Sequence, residues 1–239
     1  MNDRRFTDIH MHVVPGVDDG SSTLEESLEI LLIAAEQGTD TVIATPHSWG
    51  SPHAEQAFET LRAAAERAGV PVRLFFGMEI ANYDEPVESV ISALRSGRYA
   101  TLNGTDYVLT EFSPYGDTTE PEALNRLRAM LDAGFIPVIA HAERYAFTTM
   151  ENMAEAKRMG CRIQINLYSL EQERQPIIRE RAQSLVRLGL ADLLGTDTHR
   201  LRHRPPNAVS GLRWLDAHCD ADRALDLRYR TADALLRLA

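Results

Sequence analysis

The sequence predicts an α/β fold whose parallel sheet closes, or nearly closes, into a barrel ringed by helices. Two observations lead there. Strand-like and helix-like segments alternate from end to end in about seven βα units, and such alternation implies a parallel sheet with helices outside it. Titratable residues also follow six of the strand segments. A barrel mouth gathers all of these ends in one place, whereas an open sheet gathers only those near its switch point. The 239 residues suit one such domain, and no Gly/Ser linker or internal repeat divides residues 1–239.

The elements follow in order. Residues 6–9 form a short strand. Thr23, three residues before Glu26, has the T-x-x-E form of a capping box. A helical apolar period then runs to Gln37, and Gly38 stops it as a residue suited to the left-handed turn. Residues 41–45 (T-V-I-A-T) are a β-branched strand, 53–68 a helix and 72–76 a strand. A helix is expected over 86–95, a strand over 107–110 and a helix over 120–133 ended by Gly134. Strand 136–140, helix 151–159 ended by Gly160, strand 162–165, helix 174–188 and strand 191–194 complete the alternation. The last forty residues read as helical, with breaks near Pro205 and Pro206.

Composition narrows the function. Apolar content of 44% and charged content of 25% are ordinary for a globular protein. The net charge of −10 argues against a nucleic-acid surface as the main partner. No apolar run is long enough to span a bilayer, and the first residues lack a signal-peptide core, so a cytoplasmic location is expected. Cys161 and Cys219 make neither a disulfide framework nor a zinc-type cluster.

The chemistry collects at the strand ends. His10, His12 and Asp19 follow the first strand, with Asp18 beside the last of them. His47 follows T-V-I-A-T, Glu79 follows the third strand, and Glu111 ends Y-V-L-T-E. His141 ends I-P-V-I-A-H, ahead of Glu143 and Arg144; Asp197 and His199 follow A-D-L-L-G-T. The R-I-Q-I strand offers only Asn166. Imidazoles and carboxylates without thiolate suit Zn²⁺, Mn²⁺ or Fe²⁺ better than Ca²⁺ or Mg²⁺. Nine candidate ligands are too many for one ion of about four ligands, so two or three ions sharing carboxylates are expected. Neighbouring ions lower the pKa of water between them and hold phosphoryl oxygens. Arg144 and Arg204 lie just downstream of two ligand sets, and guanidinium groups match phosphate oxygens. Together these residues read as a phosphoester hydrolase.

Plainer readings exist for each residue alone. A single strand-end carboxylate is often a helix cap, and Arg144 could simply pair with Glu143. Five of the eight histidines fall at strand ends, and this recurrence favours a shared site. His53 and His218 fall on helices and are read as solvated, His203 as a rim residue, and Trp49 as a lid, a packing residue or a substrate contact. Other mechanisms lack their residues. Neither cysteine heads a C-x5-R loop, and Lys157, the single lysine, lies within a helical segment where it cannot bridge metals as a carbamate. No nucleotide-binding glycine motif is present.

The chain resembles the PHP (polymerase and histidinol phosphatase) superfamily, and within it the bacterial manganese-dependent protein-tyrosine phosphatases of capsule and exopolysaccharide biosynthesis. The resemblance rests on D-I-H-M-H-V-V-P-G-V-D-D-G-S, A-T-P-H, G-M-E-I, L-T-E-F, I-A-H-A-E-R-Y and G-T-D-T-H followed by R-P-P. It implies a distorted (β/α)7 barrel with three divalent ions, Mn²⁺ by resemblance, with Fe or Zn as alternatives. It implies His10, His12, Asp19, His47, Glu79, Glu111, His141, Asp197 and His199 as ligands, with Glu79 bridging two ions and Asp18 supporting the turn. It implies Arg144 and Arg204 as phosphate-binding groups. The implied substrate is phosphotyrosine on the tail of a partner bacterial tyrosine kinase. Histidinol phosphate or another small phosphomonoester is the alternative substrate, and a non-catalytic metal-dependent docking module the alternative of another class. His199 or a metal-bound water is the expected proton donor to the leaving group. The loops after His47 and Glu111, which would shape substrate access, depart from the family pattern.

Overall fold

The computed structural model describes residues 5–50, 52–113 and 115–238. Ser51 and Pro114, in the loops after His47 and Glu111, lie outside the described residues, as do residues 1–4 and 239. The strands are β1 (Phe6–Met11), β2 (Thr39–Ala44), β3 (Arg73–Phe76), β4 (Glu79–Ala81), β5 (Tyr107–Glu111), β6 (Ile136–Ile139), β7 (Arg162–Asn166) and β8 (Leu193–Gly195). The helices are α1 (Leu24–Glu36), α2 (Ala54–Arg67), α3 (Val87–Arg95), α4 (Glu120–Asp132), α5 (Met150–Met159), α6 (Pro176–Arg187), α7 (Val209–His218), α8 (Ala221–Leu225) and α9 (Thr231–Leu236).

The helix boundaries follow local chemistry. The Thr23 hydroxyl accepts the Glu26 N–H at 3.2 Å, as the capping box predicts. Glu26 reaches back one residue further than the motif requires, accepting the Ser22 N–H at 2.8 Å. Thr149 caps α5 in the same way, through the Asn152 N–H at 3.1 Å, and Gly160 ends it at φ +116°, where a side chain would be strained.

All strand pairs are parallel, in two runs: β1-β2-β3 and β4-β5-β6-β7-β8. Backbone hydrogen bonds join the runs at both ends. Beyond β8, the Asp197 N–H donates to the His10 carbonyl at 2.9 Å, and the His12 N–H to the Thr198 carbonyl at 2.8 Å. Beyond β2, the Glu79 N–H donates to the Pro46 carbonyl at 3.0 Å, and the Ser48 N–H to the Glu79 carbonyl at 2.8 Å. β3 and β4 thus act as one interrupted strand, and the strands follow one another in a ring of seven positions. Glu79 opens a strand of its own instead of standing in a loop past one, and Glu111 is the last residue of β5. Both depart from the expectation that ligands lie just beyond the strands, as does His10, which lies within β1 and not after it.

The alternation of side chains explains what the ring encloses. Ile9, Ile43, Leu109, Val138 and Leu193, from five strands, pack together, and Leu236 and Leu238 join them from the C-terminal segment. Arg5, at the start of β1, donates to Asp233 at 2.6 Å, and the Asn103 amide to the Leu236 carbonyl at 2.8 Å. The end of the chain therefore plugs the floor of the barrel, at the N-terminal ends of the strands. The neighbouring strand residues Val42, Val108, Ile139 and Leu194 pack outward against the helices. Two residues up the chain from inward Leu109 stands Glu111, and two up from Leu193 stands Gly195, so the apolar floor gives way to a polar layer above it.

Helix α7 packs closely on the turn Leu167–Glu171. A Cβ on Gly211 would overlap the Leu167 backbone and lie 2.9 Å from its Cδ2. Gly211→Ala is expected to cost about 1–3 kcal/mol and to lower the midpoint of thermal unfolding by several degrees. An unchanged midpoint would mean that this contact does not constrain the packing of α7.

Candidate metal centre

The polar layer brings the nine sequence-predicted ligands to one end of the barrel. Glu79 lies at its centre. Its Oε2 is 3.3 Å from Nε2 of His10, 3.3 Å from Nε2 of His12 and 3.2 Å from Nδ1 of His47, and its Oε1 is 2.8 Å from Nε2 of His141. Glu111 approaches His47 Nδ1 at 3.2 Å, and Asp19 approaches His47 at 3.5 Å and His199 at 3.4 Å. Oδ1 of Asp197 faces His10 at 3.7 Å, His12 at 3.6 Å and His199 at 3.5 Å. Asp19 is half-exposed; the others are buried or nearly so.

Supporting side chains set which nitrogen of three imidazoles, those of His10, His12 and His141, points inward. Gln164 accepts from the His10 Nδ1 at 3.2 Å and from the His141 N–H at 2.7 Å. Its own amide donates to Asn166 at 2.9 Å, and Asn166 donates to Asp197 Oδ2 at 3.1 Å. One inward pair on β7 therefore ties together residues from β1, β6 and the segment after β8. Asp18 accepts from His12 Nδ1 at 2.9 Å and from the His47 and Gly20 N–H groups, both at 2.9 Å. It holds two ligand-bearing segments as well as the turn. The Tyr145 hydroxyl lies 3.2 Å from His141 Nδ1 and accepts the Phe112 N–H at 3.0 Å. These supporters turn the second nitrogen of the His10, His12 and His141 rings toward the centre.

The donor set fits divalent cations. His47 Nδ1 and His199 Nε2 are buried and make no hydrogen bond, although carboxylate oxygens lie within 3.5 Å of both. Lone pairs that converge without alignment for hydrogen bonding suit a cation between them. Three overlapping groups have donor atoms within 4.8 Å of one another: His10, His12 and Glu79; His47, Glu79 and Glu111; and His12, Asp19, His47 and His199. Glu79 belongs to two of them, as a bridging carboxylate would.

The electrostatics show the strain of this crowding. Burial opposes protonation of His12, but hydrogen bonds to Asp18 and Glu79 outweigh it and hold that imidazole well above its usual range. Burial, then the charge of Arg144, pull His141 down to about 4. Burial and neighbouring Glu79 raise Glu111. Burial would raise Asp197 too, but His10 and Arg204 outweigh it and keep its carboxyl ionised.

The remaining candidates divide. Arg144 and Arg204 both donate to Asp197 Oδ2, at 3.1 Å and 2.8 Å, and each stays about one-third exposed at the mouth. Glu143 turns away from the centre: it accepts from the Ser169 hydroxyl at 2.6 Å and the Asn166 N–H at 3.0 Å. Lys157 is committed to Asp192 at 2.6 Å, on the helical layer. His218 is exposed, as expected, and one face of its ring stacks on Trp214 with centroids 4.2 Å apart. Sequence reasoning missed Gln164, Asn166 and Tyr145 as supporters. Period-two alternation along R-I-Q-I-N was the available signal for the first two, since it places Gln164 and Asn166 on one face of the strand.

Gln164→Ala removes the acceptor shared by His10 and His141. Affinity for Mn²⁺ is expected to fall about 10–100-fold, read by competition with a chromophoric chelator, with thermal unfolding of the metal-free protein little changed. Equal affinity in the two proteins would show that the rings are oriented by other contacts.

Comparisons with known proteins agree with this geometry. Residues 6–237 match the family model described as capsular polysaccharide synthesis, CpsB/CapC. The tyrosine-protein phosphatase CpsB of Streptococcus agalactiae serotype III (strain NEM316) is 29% identical over 245 residues, covering 96% of this chain and 98% of that one. CpsB of Streptococcus pneumoniae is 32% identical over 214 residues, covering 83% and 85%. A solved structure from work on Bacillus subtilis YwqE and S. pneumoniae CpsB, described as unique metal-dependent tyrosine phosphatases, superposes with a TM-score of 0.84 at 26% identity, covering 97% of this chain and 94% of that one. The phosphotriesterase homology protein of Escherichia coli shares the fold alone, with a TM-score of 0.65 at 11% identity over 99% of this chain and 100% of that one. A family match spanning nearly every described residue, on a ring of strands with this donor cluster at its mouth, leads to one conclusion: the chain belongs to the CpsB/CapC family of capsular polysaccharide synthesis.

Proposed function

We propose that this protein is a metal-dependent protein-tyrosine phosphatase acting as one domain. The observation that carries the reading is the convergence of five imidazoles and four carboxylates, with two arginines at the mouth. Seven of the nine form three overlapping donor groups; His141 and Asp197 stand outside those groups, His141 2.8 Å from Glu79 and Asp197 3.7 Å from His10. His10, His12, Asp19, His47, Glu79, Glu111, His141, Asp197 and His199 would hold three divalent ions, with Mn²⁺ as the first choice and Fe or Zn as alternatives. Bound there, the ions would supply Lewis acidity that activates water and draws charge from the phosphoryl oxygens.

The chain's own residues do the rest. Arg144 and Arg204 already converge on a single carboxylate oxygen, a spacing that suits two oxygens of one phosphoryl group. Tyrosinate leaves with a pKa near 10, so it needs less proton donation than an alkoxide. His199 is poorly placed to give that proton. Its Nδ1 faces the Asp197 carbonyl at 3.0 Å and its Nε2 faces Asp19, so its role in this reading is to hold an ion.

The substrate is read as phosphotyrosine on a partner protein, a bacterial tyrosine kinase tail in capsule or exopolysaccharide synthesis. The phosphatases named among the relatives support this choice. A cytoplasmic setting belongs to the same reading, supported by the free thiols Cys161 and Cys219. No helix among the described residues is long and apolar enough to cross a membrane.

Turnover of p-nitrophenyl phosphate should require divalent metal and disappear with chelator. A higher kcat/KM for a phosphotyrosine peptide than for histidinol phosphate would separate the protein substrate from a small phosphomonoester. Glu79→Ala is expected to lose more than about tenfold in kcat with the fold intact, because two ligand groups lose their shared member. Arg144→Ala should raise KM more than it lowers kcat. Near-normal turnover by Glu79→Ala at full metal content would remove the metal centre from the reaction.

A further inference from the structure

Trp49 has an unusual place. Its indole stacks on the His47 ring, with centroids 4.7 Å apart and planes 21° apart, yet 53% of the residue remains exposed. Among the described residues, the large exposed apolar side chains are Leu32, Trp49, Tyr115, Ile177 and Leu188. Trp49 is the one of these stacked on a candidate ligand.

Its backbone is pinned on both sides. The His47 N–H donates to Asp18 at 2.9 Å, and the Ser48 N–H to the Glu79 carbonyl at 2.8 Å. The Ser48 hydroxyl accepts the Ala81 N–H at 3.1 Å, and the Gly50 N–H donates to the His47 carbonyl at 3.0 Å. A Cβ on Gly50 would lie 2.9 Å from the Val17 carbonyl, so the turn sits directly on the loop after β1. The backbone of the turn is thus held before any ligand arrives, and the stack on His47 orients the half-exposed indole. That is the condition under which an aromatic surface binds with little entropic cost.

From this arrangement we infer that Trp49 is the specificity platform on which the phenyl ring of the substrate stacks, favouring aryl over alkyl phosphomonoesters. The inference rests on the phosphatase reading and deepens it. His47 anchors one face of the indole beside the reacting centre, and the exposed part is left for a planar, apolar group attached to the phosphate. Offset stacking of two aromatic rings adds affinity beyond simple burial. A short alkyl phosphate would leave the platform uncovered, so Trp49 discriminates by ring contact while the arginines read the phosphate.

Two measurements test this. Trp49→Ala should lower kcat/KM for a phosphotyrosine peptide and for p-nitrophenyl phosphate about 3–10-fold, and leave that for glycerol phosphate unchanged; Trp49→Phe should restore most of the loss. Binding supplies a readout independent of turnover. Trp214 is 5% exposed and stacked on His218, so Trp214→Phe leaves Trp49 as the single indole. In that background, with Mn²⁺ bound, phenylphosphonate should perturb Trp49 fluorescence. Measured by calorimetry, phenylphosphonate should bind Trp49→Ala about 3–10-fold more weakly than it binds the unmodified protein, and methylphosphonate should bind both equally. Equal losses for aryl and alkyl substrates would overturn the inference and leave Trp49 as a mere support for His47. Methylphosphonate binding with no phenyl preference would overturn the platform while keeping the phosphate site. Failure of both phosphonates to bind, with no turnover of any phosphomonoester, would overturn the platform and the phosphatase reading together.

Discussion

Glu79 is a carboxylate shut away from water, 1% exposed, with four imidazoles within 3.3 Å. A buried charge is tolerable only when it is paired, and the loss of one partner leaves the other uncompensated. Much of the upper barrel can be read as the means of meeting that condition. His10 and His12 come from β1 and the residue after it, His47 from the loop after β2, and His141 from the turn just past β6. No two neighbouring strands could supply all four, so the pairing of this one carboxylate requires the ring of strands to be nearly complete. The fold and the site are therefore a single constraint seen at two scales. The apolar floor of Ile9, Ile43, Leu109, Val138 and Leu193 sets the barrel's width, and the polar layer occupies the width so defined.

The supporters make this crowding specific. Without Gln164, Asp18 and Tyr145, the rings of His10, His12 and His141 would lose the contacts that select the inward nitrogen. With them, His10 and His12 present their Nε2 atoms toward Glu79, with their Nδ1 atoms turned to Gln164 and Asp18. Gly195 shows how tightly the layer is built. A Cβ there would come within 2.6 Å of the His10 Cβ and 3.1 Å of the Gln164 amide. Glycine at this inward position is thus a steric requirement of the neighbouring ligand, not a feature of strand β8 itself.

How much of this was legible in the sequence depends on whether a role is local or shared. Capping by Thr23, the stop at Gly160 and the alternation of elements are local, and each could be read from a few neighbouring residues. The nine ligand candidates were legible because one coincidence, an imidazole or carboxylate near a strand end, recurs at strand after strand. Glu143 shows the limit of that rule. It has the right position in sequence, but the short turn Ala142–Arg144 aims it at Ser169, away from the nine candidate ligands. Gln164 shows the opposite failure. Alternation places it on the inward face of its strand, but its importance comes from His10 and His141, which donate to it from distant parts of the chain. The plug formed by Leu236 and Leu238 was hidden for the same reason, because partners such as Ile9, Ile43 and Asn103 lie more than a hundred residues away.

The backbone carries a further trace of the site's demands. His141, Asp197 and Arg204 adopt left-handed conformations, at φ +31°, +54° and +55°. Each is a residue with a full side chain in a region that costs roughly 1–3 kcal/mol. Asparagine or glycine would sit there with less strain, but neither could supply an imidazole, a charged carboxylate or a guanidinium. The cost is sustained because each of these residues is held from several directions. Asp197 accepts from Arg144, Arg204 and Asn166 at one oxygen while its own N–H is tied to β1. The His141 N–H is held by Gln164 and its ring lies against Tyr145 and Glu79. A side chain fixed in this way keeps its place through the protein's own contacts. The strain therefore stays in the protein as preorganisation, and the geometry that would receive the ions is specified by the chain itself.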